Sequence, residues 1–285
     1  MTSDNTSSSS NAAENQGNGE EQPLLRENRG RVTILTLNRP RRRNGLSESL
    51  LVALNTAFAD IAQSPDTHVV LLTGAAPSFC SGHDLKEITA HRADADGGHA
   101  FYERVMRLCA EVSQAITHCP QPVIAAVNGA ASAAGCQLVA SCDLAIASET
   151  AHFSTPGINI GFFCSTPMVA TSRNISRKRA LEMGLLGSVV PAMVAMQYGL
   201  VNFVTPEHEV MQEAMRWAGR IMSKPAHAIR RGKASFYRQL EMPLTDAYDY
   251  ASRVMVEDLL SQDAIDGIDG FLQKRPTRPP ANRGN

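Results

Sequence analysis

Several features that would commit a chain early are missing here. The six cysteines (Cys80, Cys109, Cys119, Cys136, Cys142 and Cys164) form no CxxC pair and sit mostly in apolar stretches. They read as reduced core thiols, which places the protein in the cytoplasm. Clustered His and Cys at metal-ligand spacing are absent, so no metal centre is expected. No apolar run approaches the roughly 20 residues needed to cross a bilayer, and membrane insertion is not expected. Charge is balanced, with 27 basic against 28 acidic residues and a net of −1. That excludes the basic excess of a nucleic-acid or anionic-membrane binder. The first 22 residues, MTSDNTSSSSNAAENQGNGEEQ, hold no apolar stretch, and no basic residue precedes Arg26. They fit neither a secretory signal nor an Arg-rich transit peptide. Their composition cannot bury enough surface to order itself, so residues 1–24 are expected to be a disordered tail.

What is present is an ordinary globular profile: 285 residues, 43% hydrophobic and 19% charged. Strands are expected at Gly30–Leu37, His68–Thr73, Pro122–Val127, Asp143–Ala147 and Gly199–Val204. Helices are expected from Ser47, a credible N-cap, to Ala62, and at Phe101–Cys119 and Cys136–Ser141. Another follows Pro167 and runs to Leu186, with a short one at Ala192–Tyr198. From Glu207 the periodicity is helical throughout (Glu207–Ser223, Pro225–Gln239, Thr245–Gln273). The chain thus divides into a 25–205 core, a 206–275 helical region and a flexible 276–285 tail.

Pro122–Ser148, PVIAAVNGAASAAGCQLVASCDLAIAS, is the organising stretch. A buried strand feeds a helix through Gly129–Gly135, where every side chain is Gly, Ala or Ser. Such a turn suits either tight helix–sheet packing or close approach of a ligand to unpaired N–H groups at the helix start. A second strand-to-helix turn lies at Ser81-Gly82-His83-Asp84, where Asp84 can cap the following helix. The His83 side chain has no partner carboxylate or nucleophile in the sequence and reads as a surface or packing histidine; its backbone N–H resembles that of Ala134. Pro40–Arg43 is a basic turn. It is a solvated loop unless an anionic ligand is established elsewhere.

The motifs LNRPRRRNGLS, SFCSGHDLKE, PVIAAVNGAASAAGCQLVASCDLAIAS, FSTPGINIGFF, YGLVNFV and GFLQKRP occur in that order across about Gly30 to Arg275. Together they resemble the crotonase (enoyl-CoA hydratase/isomerase) superfamily. SGHDLKE, AAGCQLVASCD, TPGINIG and FCSTP look most like its enoyl-CoA hydratase domain-containing protein 3 group. The resemblance implies an α/β crotonase fold, a repeated β-β-α superhelix with two nearly perpendicular sheets and C-terminal helices that trimerise. It implies a homotrimer or dimer of trimers, and an acyl-CoA ligand that brings CoA as part of the thioester, with no separate cofactor. The thioester oxygen would lie between the backbone N–H groups of His83 and Ala134. Arg41 and His83–Lys86 (His83, Asp84, Leu85, Lys86) would line the CoA path, and Phe271 and Lys274 would close on a neighbouring subunit's nucleotide.

The departures weigh as much as the matches. The two glutamates of the family's hydratases fall on Gln137 and Gly157 here. Hydration needs a base for water and an acid for carbon, each worth roughly 10²–10⁴-fold. Gln137 exchanges no proton and Gly157 has no side chain, so ordinary hydration is expected to be very slow. An isomerase mechanism would use the carboxylate missing at Gly157. Asp84, Glu87 and Asp143, the nearby acids, read as capping or structural groups. Two readings remain: an acyl-CoA enzyme of this type, or a non-catalytic acyl-CoA or protein-binding member with a regulatory role. A Ser–His–Asp protease is a poor fit, because Ser81, His83 and Asp84 are too close in sequence to act as a triad without distortion.

Overall fold

A computed structural model describes residues 22–273 of the chain. β1 (Leu24–Arg29) and β2 (Val32–Leu37) form an antiparallel hairpin, followed by α1 (Glu48–Gln63). Ser47 caps α1 by accepting from the Leu50 N–H at 3.2 Å. Three strand–strand–helix units come next. They are β3 (Val69–Gly74), β4 (Ser78–Cys80) and α2 (Leu85–Ala90); β5 (Val123–Val127), β6 (Ala130–Ser132) and α4 (Ala134–Ser141); and β7 (Leu144–Ser148), β8 (His152–Ser154) and α5 (Ser165–Asn174). A long helix, α3 (His99–His118), separates the first two units. The first strand of each unit enters a six-stranded sheet of order β1-β2-β3-β5-β7-β10, where β10 is Phe203–Thr205. The second strand of each unit enters a four-stranded sheet of order β4-β6-β8-β9, closed by β9 (Val190–Pro191). The α/β architecture expected from the sequence is therefore present, and the helix-linked strands within each sheet run parallel.

Strand periodicity explains the layering. In β3 and β5, Val70, Leu72, Val123, Ala125 and Val127 face α1 and α3, while Val69, Leu71, Ile124 and Ala126 face α8 (Val210–Met222). Both faces are covered, which is why these strands read as continuous apolar runs rather than alternating ones. Each Leu, Ile or Phe fully buried here contributes about 1.5–3 kcal/mol. Because Val210, Ala214 and Ala218 are buried against the sheet, α8 belongs to the core, although the sequence places it with the C-terminal helices.

α6 (Arg177–Leu186) and α7 (Ala192–Tyr198) complete the core, and α9 (Ala226–Leu240), α10 (Leu244–Leu259) and α11 (Gln262–Leu272) follow it. Asp143 fixes α9 to the core. It accepts from Lys233 Nζ at 2.7 Å, Tyr237 OH at 2.9 Å and the Val123 N–H at 2.6 Å. Lys233 also donates to the carbonyls of Ile116 and Gln121. The structural reading of Asp143 holds. Among the described residues no helix is long and apolar enough to cross a membrane.

Several boundaries differ from the sequence reading. Leu24 starts a strand, and the Pro23 carbonyl accepts from the Asn38 N–H at 2.7 Å, so order begins before residue 25. Residues 1–21 and the tail from 274 onward, including Lys274, lie outside the described residues. β4 and β6 were not expected, being three residues each and rich in Ser, Ala and Cys. The helix expected up to Leu186 breaks at Ile175-Ser176, and the last one breaks at Leu260-Ser261, where Ser261 caps α11.

Candidate active site

The two strand-to-helix turns meet. At the end of β4 the chain turns through Gly82 at φ 89°, a left-handed conformation that favours glycine. A Cβ there would stand 2.9 Å from Ala133 Cβ, 3.1 Å from the Ser132 oxygen and 3.3 Å from the Ala134 nitrogen. His83 forms a parallel bridge with Leu46: the Leu46 N–H donates to the Gly82 oxygen, and the Asp84 N–H donates to the Leu46 oxygen. In that pattern the flanking residues make the bonds, so the N–H of His83 itself points away from Leu46.

Ala133 holds the second turn at φ 50°, ψ −117°, a sparsely populated conformation for a residue with a Cβ that costs on the order of 1–3 kcal/mol. Its N–H donates to the Ser154 oxygen at 2.8 Å, which ties the turn to β8. α4 then starts at Ala134 with no side-chain cap. Among the described residues, neither the His83 nor the Ala134 N–H donates to a protein acceptor. Gly135 lets the helix start sit against β4, since a Cβ there would lie 2.1 Å from the Cys80 carbonyl oxygen.

The basic turn joins the same corner. The Ser81 N–H donates to the Arg43 oxygen at 3.0 Å, and buried Asn44 holds the carbonyls of Ala75 and Ser78 at 2.7 Å. Arg41 lies exposed on this turn, and Leu85 and Lys86 are exposed at the start of α2. Asp84 is engaged elsewhere. It caps α2 through the N–H groups of Lys86 and Glu87 and pairs with Arg39 at 2.8 Å. Burial opposes its ionised form, but the Arg39 contact and the two backbone donors outweigh that and lower its pKa. Glu87 accepts from the Glu48 N–H at the start of α1, and burial raises its pKa. Both acids are structural, as the sequence suggests.

Gln137 and Gly157 stand where the resemblance leads one to expect glutamates. Gln137 is buried on α4; its Nε2 donates to Ser113 Oγ at 2.8 Å, and its Oε1 has no partner. At Gly157 the chain folds back on itself. A Cβ would meet the Phe162 carbonyl oxygen at 2.7 Å, and Cys164 Sγ and the Phe162 ring at 2.8 Å. Thr155, fully buried two residues earlier, has an unpartnered hydroxyl.

The His83 ring takes one of the two roles expected for it. Both its nitrogens are buried and unpartnered, and burial pulls its pKa down to about 4, so it is neutral at pH 7. A packing role fits; a surface role does not. Phe271, on α11, is 78% exposed. Sequence reasoning missed Ser113, Thr155, Phe162 and Cys164. No periodicity marks them, since each matters through a contact made only in three dimensions. All six cysteines are buried and unpaired, and burial lifts the Cys80, Cys109 and Cys136 thiols to about 12, far from a nucleophilic thiolate.

Comparison with known proteins identifies the family and the fold. The family described as Enoyl-CoA hydratase/isomerase matches residues 27–279. The curated relative "Enoyl-CoA hydratase domain-containing protein 3, mitochondrial" of Rattus norvegicus is 43% identical over 258 residues, covering 90% of this chain and 84% of that protein. The Homo sapiens protein of the same name is 44% identical over 244 residues, 86% of this chain and 79% of that one. Among solved structures, an enoyl-CoA hydratase of Mycobacterium smegmatis superposes with a TM-score of 0.86 at 43% identity, covering 91% of this chain and 99% of that one. Human enoyl-CoA hydratase domain-containing protein 3 gives 0.84 at 41%, covering 90% and 99%. These relatives overturn the cytoplasmic placement drawn from the cysteines, because the mammalian ones are named mitochondrial. The earlier inference failed for a physical reason: burial within the fold keeps the thiols unpaired, so they do not report the compartment.

Proposed function

The chain belongs to the enoyl-CoA hydratase/isomerase family, and on that premise we propose that it binds an acyl-CoA thioester. The carbonyl oxygen would accept hydrogen bonds from the N–H groups of His83 and Ala134. The observation that carries this reading is the pair of acceptor-free donors brought together where Gly82 touches Ala133 and Ala134. Enolisation or addition at a thioester puts negative charge on that oxygen. Two fixed amides stabilise it, each worth about 2.7–4 kcal/mol of barrier in comparable sites. Ala134 adds a methyl beside the slot without removing the donor. The exposed Arg41 and Lys86 would face the CoA phosphates. No separate cofactor enters the reading.

Ordinary hydration would be very slow. Gln137 has no ionisable group to act as acid or base, and Gly157 is packed against Phe162 and Cys164, leaving no room for a side chain. Those two contacts favour a second reading, a non-catalytic acyl-CoA-binding member with a regulatory role. The assay is crotonyl-CoA hydration followed by loss of enoyl-thioester absorbance, for the wild type and Gln137→Glu. Wild-type turnover within tenfold of ordinary hydratases would remove the claim about these positions. Calorimetry with several acyl-CoAs tests binding separately, and absence of heat with all of them would remove the ligand.

The same premise supports assembly into a homotrimer or a dimer of trimers. Ala247 is the one buried residue in α9–α11, while Leu244, Leu260, Phe271 and Leu272 are each more than 70% exposed. Apolar exposure on that scale marks a docking face. A mitochondrial location, shared with the named relatives, is part of this proposal.

A further inference from the structure

Like charges held close together repel, so a group of cations without carboxylates stands at a cost until an anion joins it. Such a group lies where α8 gives way to α9. Arg31 Nη1 donates to His68 Nε2 at 2.9 Å, and Arg230 Nη2 donates to the Thr67 carbonyl at 3.1 Å. Lys224, in the turn between the two helices, lines one open groove together with His68 and Arg230. Among the described residues, Arg31, Lys224 and Arg230 take part in no ion pair. Asp66, exposed two residues before His68, pairs with none of them; Asp60 is taken by Arg26 and Asp263 by His227. We propose that this groove binds a phosphate group, either free or as the terminal group of a larger molecule.

The donors suit that ligand. A guanidinium is always charged, and its parallel N–H groups match two oxygens of a phosphate. Arg31 and Arg230 each spend one nitrogen on a neutral protein acceptor and keep the others free for a ligand. His68 accepts from Arg31 through Nε2, so its Nδ1 carries the proton and adds a neutral donor. Burial, with Arg31 and Arg230 nearby, lowers its pKa. The empty space is about 230 Å³, below the roughly 300–1,000 Å³ of ordinary ligand pockets. That volume suits one oxyanion, with the rest of any larger ligand outside. Ile221 and Ile229 supply an apolar wall, beside which charge–charge attraction is screened less than in open water. The groove also lies away from the thioester site. β2 and β3 run parallel with Val32 opposite Val69, so Arg31 and His68 meet at the start of both strands. Arg41 and the turn at His83 follow the other ends, roughly 20 Å along β3. The proposal therefore stands independently of the acyl-CoA reading.

Titration calorimetry of the full chain with inorganic phosphate, in about 0.15 M NaCl to screen diffuse charge, tests it. Flotation with phosphatidylcholine vesicles, with and without phosphatidic acid, tells a lipid headgroup from a soluble ligand. The wild type should bind at least one of these probes. Arg31→Gln and Arg230→Gln should each weaken that binding at least about tenfold, the loss of a charge-assisted hydrogen bond. Arg253→Gln, at an exposed position of α10, removes the same charge and should leave binding unchanged. Because Arg230 also holds the Thr67 carbonyl, each variant is melted without phosphate; exposed Arg31 carries the test if Arg230→Gln unfolds early. Absence of both phosphate binding and phosphatidic-acid-dependent flotation would overturn the site. So would binding that survives both arginine variants. Binding lost instead in Arg41→Gln with Lys86→Gln would move the phosphate to the CoA path and overturn it equally.

Discussion

In a Gly135→Ala variant the new methyl would stand 2.1 Å from the Cys80 carbonyl oxygen and 2.8 Å from its carbon, where ordinary contact begins near 3.4 Å. Neither neighbour is a flexible side-chain tip. α4 and β4 must therefore part by roughly 1.3 Å, and such overpacking costs about 1–3 kcal/mol. For a chain of this size that lowers the melting temperature by about 2–12 °C. The functional consequence is more specific. β4 leads into His83 and α4 begins at Ala134, so the same separation pulls apart the two N–H groups assigned to the thioester oxygen. Both donors must lie 2.7–3.1 Å from one atom, and a displacement of about 1 Å costs on the order of 10²-fold. The assay pairs thermal melting with acyl-CoA calorimetry. Gly219→Ala is the control, because a Cβ at that exposed helical position meets nothing within 4 Å and should raise stability by about 0.4–1 kcal/mol. If Gly135→Ala melts within 1 °C of the wild type and binds acyl-CoA as tightly, the packing argument and the site geometry are both wrong.

Three other outcomes follow from the contacts described. The folded His83 has a pKa near 4 against an ordinary 6.5, so as pH falls the unfolded chain takes the proton first. Its contribution to stability is complete above pH 6.5 and lost towards pH 4, about 2 kcal/mol between pH 7 and pH 5. Urea denaturation of the wild type and His83→Phe should show that slope in the first alone; identical slopes would refute it. Lys233→Met leaves Asp143 without its buried counter-charge and should lower unfolding free energy by about 3–5 kcal/mol, partly recovered in the double variant with Asp143→Asn. A double variant no more stable than Lys233→Met alone would show that the loss lies elsewhere. Leu260→Glu with Phe271→Glu should dissociate the assembly in sedimentation velocity, whereas a wild-type monomer would contradict the oligomer proposal.

Much of the framework was written locally. The apolar runs at β3, β5 and β7, the Ser47 cap and the Asp84 cap each depend on residues within a few positions of one another. Periodicity and capping chemistry reach no further than that. Short elements escaped: β4 and β6 hold three residues each, too few for any alternation to show, and they exist through pairing with strands distant in sequence. Order at Leu24 escaped for a similar reason, since β1 is exposed on all but one residue and exists through its pairing with β2.

By itself the sequence determined the succession of strands and helices, the two small-residue turns, the family, and the absence of carboxylates at Gln137 and Gly157. Only the tertiary structure decided that Gly82 meets Ala133 and Ala134, that Asp84 is taken by Arg39 and Asp143 by Lys233 and Tyr237, and that Phe162 and Cys164 close the space at Gly157. The reason is range. Backbone conformation and hydrophobic period are set by neighbours along the chain, whereas a donor pair, a buried ion pair or an unpartnered hydroxyl is set by which distant segments the core forces together.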